Sequence, residues 1–438
     1  MAHPNRRRHA ILGASAVLTA VAVFGIVRMT ASSTPVAHGK PTSSTATAST
    51  ATTATTVTTA ANTTTSTKPA TQRTTAPTVP VATSAGAPSN VYSETSKLQP
   101  GIAGDPARVY VPSGLANTLT VIDQQSRKVL STFRPGSNPQ HVVPSYDLRT
   151  LWILNNKGNS VVPITAATGE VGRPIPVSDP YNLYFTPDGK TAIVVAEKFA
   201  RLDFRDPQTM KPDSSLAVRG CTGINHADFS VDGSYMIVTC EFAGKVAKID
   251  MVQRKVVGLL ALQPPMHTAA DHMSMTSMPQ DIRLAPDGKR FFVADMAGGG
   301  LHILDGESFT EIGFIPTGIG AHGITPSHDG TRLYVANRGS ATTAARPKGP
   351  GSVSVVDVAT DKVIGTWPVP GGGSPDMGNL TADGKELWLS GRYDAEVYAF
   401  DTSTGSLLAR IPVATGPHGL TVWPQAGRYS LGHTGNMR

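Results

Sequence analysis

The sequence predicts an all-β chain folded as a seven-bladed β-propeller, preceded by an apolar leader and an unstructured stalk. Three observations carry this. Turn centres recur at Asp147, Asp188, Asp232, Asp287, Asp329 and Asp383, with spacings of 41, 44, 55, 42 and 54 residues. Periods near that length mark propeller blades. Each centre is followed by a short run rich in β-branched and aromatic residues, and residues 1 to 90 hold no Asp or Glu at all.

The leader comes first. Arg6, Arg7 and Arg8 precede an uncharged stretch from Ala10 to Val27, the layout of an export signal whose basic flank stays on the cytoplasmic side. That stretch is at the short end for a membrane-spanning helix. Neither Met29-Thr-Ala nor Pro35-Val-Ala puts a small residue at the first cleavage position, which favours an uncleaved signal-anchor over a cleaved signal peptide across residues 1–30. Arg7-Arg8-His9-Ala10-Ile11-Leu12 also partly matches a twin-arginine signal, so both export routes stay open. No Cys follows the segment to support a lipid anchor.

Residues 31–90 collapse to Thr, Ala, Ser and Pro, a composition that cannot bury enough apolar surface to offset chain entropy. A disordered stalk is expected there, and the protein is expected outside the cytoplasm, tethered to the cell membrane or secreted if the leader is removed. Arg6, Arg7, Arg8, Arg28, Lys40, Lys68 and Arg73 account for the whole net charge of +7, leaving 31 basic residues to balance 31 acidic ones. A net-neutral domain lacks the electrostatic footprint of a nucleic-acid binder. The partners to expect are a small ligand or metal ion, or a cell-envelope protein, met by a monomer.

The blades occupy residues 91–438. Five of the six centres are Asp-Gly pairs, which supply the positive φ of a tight antiparallel turn. Second strands follow them: Leu151-Trp-Ile-Leu, Ala192-Ile-Val-Val, Tyr235-Met-Ile-Val, Phe291-Phe-Val-Ala, Leu333-Tyr-Val-Ala and Leu387-Trp-Leu-Ser. Third strands end near Asp, as in Val246-Ala-Lys-Ile-Asp, Leu301-His-Ile-Leu-Asp and Val353-Ser-Val-Val-Asp. Six blades are complete in chain order. The remaining one is split, because Arg108-Val-Tyr-Val and Thr120-Val-Ile-Asp lack an inner strand, while Pro417-His-Gly-Leu-Thr-Val-Trp is an inner strand without followers. Joining them closes the ring and removes the exposed sheet edges.

Cys221 and Cys240 are the two cysteines. Antiparallel pairing about Asp232-Gly233 sets Asn225 roughly opposite Cys240, with Cys221 a few residues beyond. In an exported chain an intra-blade disulfide is favoured over a pair of thiolate metal ligands.

The first strand of each blade lines the central channel, so the residues that open these strands meet at one mouth. They include His141, His226, His322, His418, Asp281, Asp376 and Met377. A long connection from Gln263 to Pro279 belongs to the same face and carries Met266, His267, Asp271, His272, Met273, Met275 and Met278. Thioethers and imidazoles together suit a soft or borderline cation, Cu(I) above all. Taken singly, either cluster is ordinary, since loop methionines pack over blades and polar channel residues hold water. Their coincidence on one face marks His141, His226, His267, His272, Met273, Met275, Met278, Asp281, His322 and His418 as candidate metal ligands, with copper as the candidate cofactor. Glu197, Glu241, Asp295 and Arg392, at second-strand ends, are candidate supporting groups.

Leu333-Tyr-Val-Ala-Asn, with Pro326-Ser-His-Asp-Gly and Val353-Ser-Val-Val-Asp-Val-Ala-Thr-Asp-Lys-Val, resembles the YVTN-type seven-bladed β-propeller family of exported bacterial proteins. The resemblance spans about Ala107 to Trp423 and implies the fold rather than a chemistry. Related propellers include lactonase-like enzymes, the haem d1 domains of nitrite reductases, the copper-bearing domain of nitrous oxide reductase, and surface-binding proteins. This chain has no Cys-x-x-Cys-His for covalent haem, and a cupredoxin domain is not expected after ring closure. A Gly-x-Ser-x-Gly elbow, a His-Glu-x-x-His pair and a phosphate-binding loop are absent as well. A binding module is therefore expected, with redox or lactonase-like hydrolytic chemistry at the same mouth, or a structural surface role, as the alternatives.

Overall fold

The computed structural model describes residues 90–263 and 276–438. Those residues form seven four-stranded antiparallel sheets. The strand Thr421–Trp423 pairs with Arg108–Ser113 through Arg108↔Trp423, Val109↔Val422 and Tyr110↔Thr421, so the first blade takes its inner strand from the far end of the chain. Two further bonds hold the closure: Trp423 Nε1 donates to Asp105 Oδ2 at 2.9 Å, and Gln124 Nε2 donates to the Trp423 carbonyl at 2.6 Å. A seven-bladed ring closed by shared terminal strands is thus the observed architecture.

The blades form for the reasons their sequences imply. Gly189, Gly233, Gly288, Gly330 and Gly384 all take positive φ in the tight turns. The turn at Asp147 has Leu148 in that position, at φ 62°, where Ser145 Oγ bonds Asp147 and the Leu148 amide bonds the Ser145 carbonyl. Inner strands such as Ile224–Phe229 are buried at every residue, whereas outer strands such as Lys255–Ala261 alternate with solvent. The core therefore lies between neighbouring blades, with Trp388 and Trp423 among its largest fully buried side chains. Cys221 and Cys240 form a disulfide with Cα atoms 4.7 Å apart.

One irregularity positions the site. Each of the six continuous inner strands shifts register just after its first residue, at Pro139/His141, Pro180/Asn182, Ile224/Ala227, Pro279/Ile282, Ala321/Ile324 and Pro375/Gly378. A regular strand would send successive side chains to opposite faces. The bulge lets consecutive residues both turn to the axis, which stacks two tiers of polar side chains there. It also moves Ile224, rather than Asn225, opposite Cys240.

Beyond ring closure, the residues from Gly427 onward wedge against the inner strands Pro180–Phe185 and Ile224–Phe229. The Phe185 amide donates to the Leu431 carbonyl at 3.0 Å, and the His433 amide to the Leu183 carbonyl at 2.9 Å. Asn436 and Arg438 both donate to Asp228 Oδ1, at 3.0 and 2.9 Å. Only a glycine fits at 432, because a Cβ there would lie 2.3 Å from the Leu183 carbonyl oxygen. Among the described residues, no helix is long and apolar enough to cross a membrane. The leader, the stalk and the middle of the methionine-rich connection lie outside them.

Candidate metal centre

On the axis, one tier below the mouth, His141, His226 and His433 bring one ring nitrogen each to within 4.8 Å of one another, all three rings buried. Such a group can hold a metal ion. Its protonation follows from its partners. The Nδ1 of His141 lies 2.8 Å from the Tyr181 carbonyl, which only accepts, so Nδ1 carries the proton and Nε2 keeps its lone pair. That Nε2 has no hydrogen-bond partner among the described residues, and neither has the Nε2 of His226. The Nε2 of His433 lies 3.3 Å from Asp281 Oδ1, which likewise leaves the lone pair on Nδ1. The Asn182 amide nitrogen sits between two of the rings, 3.1 Å from His226 Nδ1 and 3.2 Å from His433 Nδ1.

Burial keeps the rings neutral. It holds His141 and His226 well below the usual imidazole pKa, and the neighbouring rings of the cluster add to the effect. His433 is also lowered by burial, although Asp281 opposes it. A neutral imidazole is the ligand form, so these donors are available at neutral pH.

The upper tier is organised around Asp376. Its Oδ2 lies 2.6 Å from His418 Nδ1, and its Oδ1 accepts from Arg338 Nε at 2.8 Å. His322 Nδ1 is 3.0 Å from Oδ1, but the pair is not aligned as a hydrogen bond. Burial opposes the Asp376 charge, yet Arg338 and the two histidines hold its carboxyl well below the usual range. Burial and Arg338 push His322 down to about 4, and burial pushes His418 down to about 3 against the pull of Asp376. Above this tier opens a cavity of about 140 Å³ lined by Gln140, Tyr181, Glu197, Glu241, Gln280, Arg338 and Arg392 among others.

The family model of YNCE-like β-propellers matches residues 136–428. The chain belongs to the YNCE-like β-propeller family. Among curated proteins none matches the sequence. Solved structures similar to this YNCE-like propeller include hydrazine synthase of Kuenenia stuttgartiensis, 20% identical over 64% of this chain and 88% of that one, with a TM-score of 0.52. A putative 6-phosphogluconolactonase from Bacteroides uniformis is 19% identical over 72% and 99% of the two chains, TM-score 0.55. A dihydro-heme d1 dehydrogenase solved in complex with DHE is 14% identical over 74% and 77%, TM-score 0.53. At these identities the likeness is one of fold.

Within this YNCE-like ring the structure brings His141 and His226 together and sets Asp281 against the third ring of the group. His322 and His418 stand one tier higher, engaged with Asp376. His267, His272, Met273 and Met275 lie outside the described residues. Met278 sits at the entry to Pro279–Leu284, its amide bonded to Asp295 Oδ1 at 2.8 Å. Asp295, expected near the mouth as a supporting group, is paired at 3.1 Å with the buried His302. Sequence reasoning passed over His433 and gave Asn182 no role. The stretch from Ser430 to Met437 carries no charge and two glycines, a composition suited to a wedge. It has no blade period, however, to place its histidine on the axis.

Proposed function

We propose that this protein is an exported, membrane-tethered binding module of the YVTN type whose axial His141, His226 and His433 hold a copper ion. The observation that carries the reading is a buried, neutral imidazole, His141, whose Nε2 lone pair finds no hydrogen-bond partner among the described residues, in a group of three histidines whose ring nitrogens come within 4.8 Å of one another. An unsatisfied buried acceptor is costly, and a cation removes that cost. Tyr181 and Asp281 orient His141 and His433 from behind, which is how metal-binding imidazoles are fixed. An all-imidazole set in an exported protein suits copper, and the thioethers of the sequence from Met266 to Met278 are chemically suited to Cu(I) delivery or retention.

In this reading the ion is held rather than turned over. Asn182, between two of the rings, gives up its amide contacts when the metal enters. The test is metal analysis of the full exported chain by mass spectrometry, followed by Cu(I) titration against a chromophoric competitor. About one copper per chain is expected, with H226A and H433A each weakening uptake at least about tenfold. A metal-free protein that also fails to take up Cu(I) overturns the reading, and stoichiometric zinc in its place corrects the metal.

A further inference from the structure

The cavity above the axial site has a chemistry of its own. Two guanidinium groups reach it. Arg338 is neutralised by Asp376 at 2.8 Å, whereas the Arg392 side chain has no hydrogen bond or ion pair among the described residues. The carboxyl of Glu197 also lines the cavity, with no hydrogen-bond donor of its own there. Across from it Glu241 accepts from Asn225 Nδ2 at 3.2 Å. Gln140 adds a buried Oε1 without a partner, and the Tyr181 hydroxyl sits 3.3 Å from His418 Nε2.

We propose that this mouth cavity binds a small monocarboxylate or the carboxylate end of a small organic acid, with Arg392 as its principal cation. A guanidinium presents a planar fork that matches a carboxylate in geometry and charge. Arg392 is the one such fork at the cavity that no acid of the protein occupies among the described residues. Glu197 completes the match. Burial, then Glu241 and Asp179, raise its pKa to about 8, so at neutral pH it is a carboxylic acid able to donate a hydrogen bond to a bound carboxylate. The charged and titratable groups facing it are Glu241, Asp179, Arg392 and Tyr181. Burial raises Glu241 as well, which leaves Arg392 as the dominant charge and favours a monoanion. A phosphate would bring two charges to one free cation beside two carboxyls. At about 140 Å³ the cavity admits a molecule of a few heavy atoms.

The inference does not require an ion on the axis, so it is tested on the full chain after chelator treatment, which keeps its failure separate from failure of the copper reading. Acetate, lactate and succinate are titrated by calorimetry at neutral pH, with inorganic phosphate and methylammonium as comparisons. Saturable one-to-one binding of at least one carboxylate is expected. R392Q should weaken it at least about tenfold, while R392K keeps part of the affinity. Affinity should fall as pH rises past about 8, where Glu197 ionises. E197Q, neutral at every pH, should abolish that fall. Circular dichroism checks that the variants remain folded, as expected for a side chain without internal bonds. The proposal is overturned if none of the three carboxylates binds, if phosphate binds as tightly, or if R392Q binds like the parent.

Discussion

At the scale of single residues, the most consequential side chain is Asp376. It is fully buried and compensates Arg338 while holding His418. Removing one partner of a buried pair leaves the other charge uncompensated, so D376N should lower stability by about 3 kcal/mol or more in denaturant unfolding. The buried histidines make a second prediction. His322 and His418 titrate near 4 and 3 in the folded protein, against about 6.5 when unfolded. Below pH 6.5 the unfolded chain therefore binds more protons than the folded one, and stability falls as pH falls. The depressed Asp376 acts in the same direction, because its contribution is complete above the unfolded carboxylate pKa and lost below it. Thermal midpoints measured from neutral pH down to about pH 4 should decline steadily, and H418Q should flatten that slope. A flat profile in the parent protein would contradict neutral burial of these rings.

At the scale of elements, the disulfide and the wedge make separable contributions. The Cys221–Cys240 bond closes a loop with a sequence separation of 19, and loops of that size are worth about 3 kcal/mol. The C221S/C240S pair should lose about that much in denaturant melts and leave the axial geometry in place. Gly432→Ala attacks the wedge instead, since its Cβ would collide with the Leu183 carbonyl at a φ of +97°. Proteolysis should then clip the residues after Gly427, and copper uptake should fall with the ring still folded. The blade strands are legible in the sequence because a repeat of turns and alternating apolar runs names both ends of each strand. His141 and His226 are legible with them, as openers of inner strands. Their tier is not. A one-residue bulge turns two neighbours to the axis in successive tiers, and no residue type announces it. His433 is beyond reach for another reason, since its place depends on backbone bonds to Leu183 and Phe185, far away in sequence.

At the scale of the whole molecule, the ring depends on a short seam of three residue pairs between Arg108–Ser113 and Thr421–Trp423. Trp423 is fully buried there, so W423A should cost about 3–5 kcal/mol. Because that blade joins both ends of the ring, the loss should appear as one shifted cooperative transition rather than the melting of a single blade. Two transitions in calorimetry would show that the seam is dispensable. The closed ring also explains why the axial rings are so well shielded, since every blade contributes its inner strand to the wall around them.

The three axial imidazoles come from residues 141, 226 and 433, which sets an order on the protein's making. During synthesis the first two are present for some two hundred residues before the third is added, and a pair of rings is a poor cage. An ion that arrives early finds nothing to keep it. If the site is filled as proposed, loading would therefore belong to the finished ring, after the last residues have slid in beneath the mouth, and the compartment in which the chain completes its folding would decide which metal it meets.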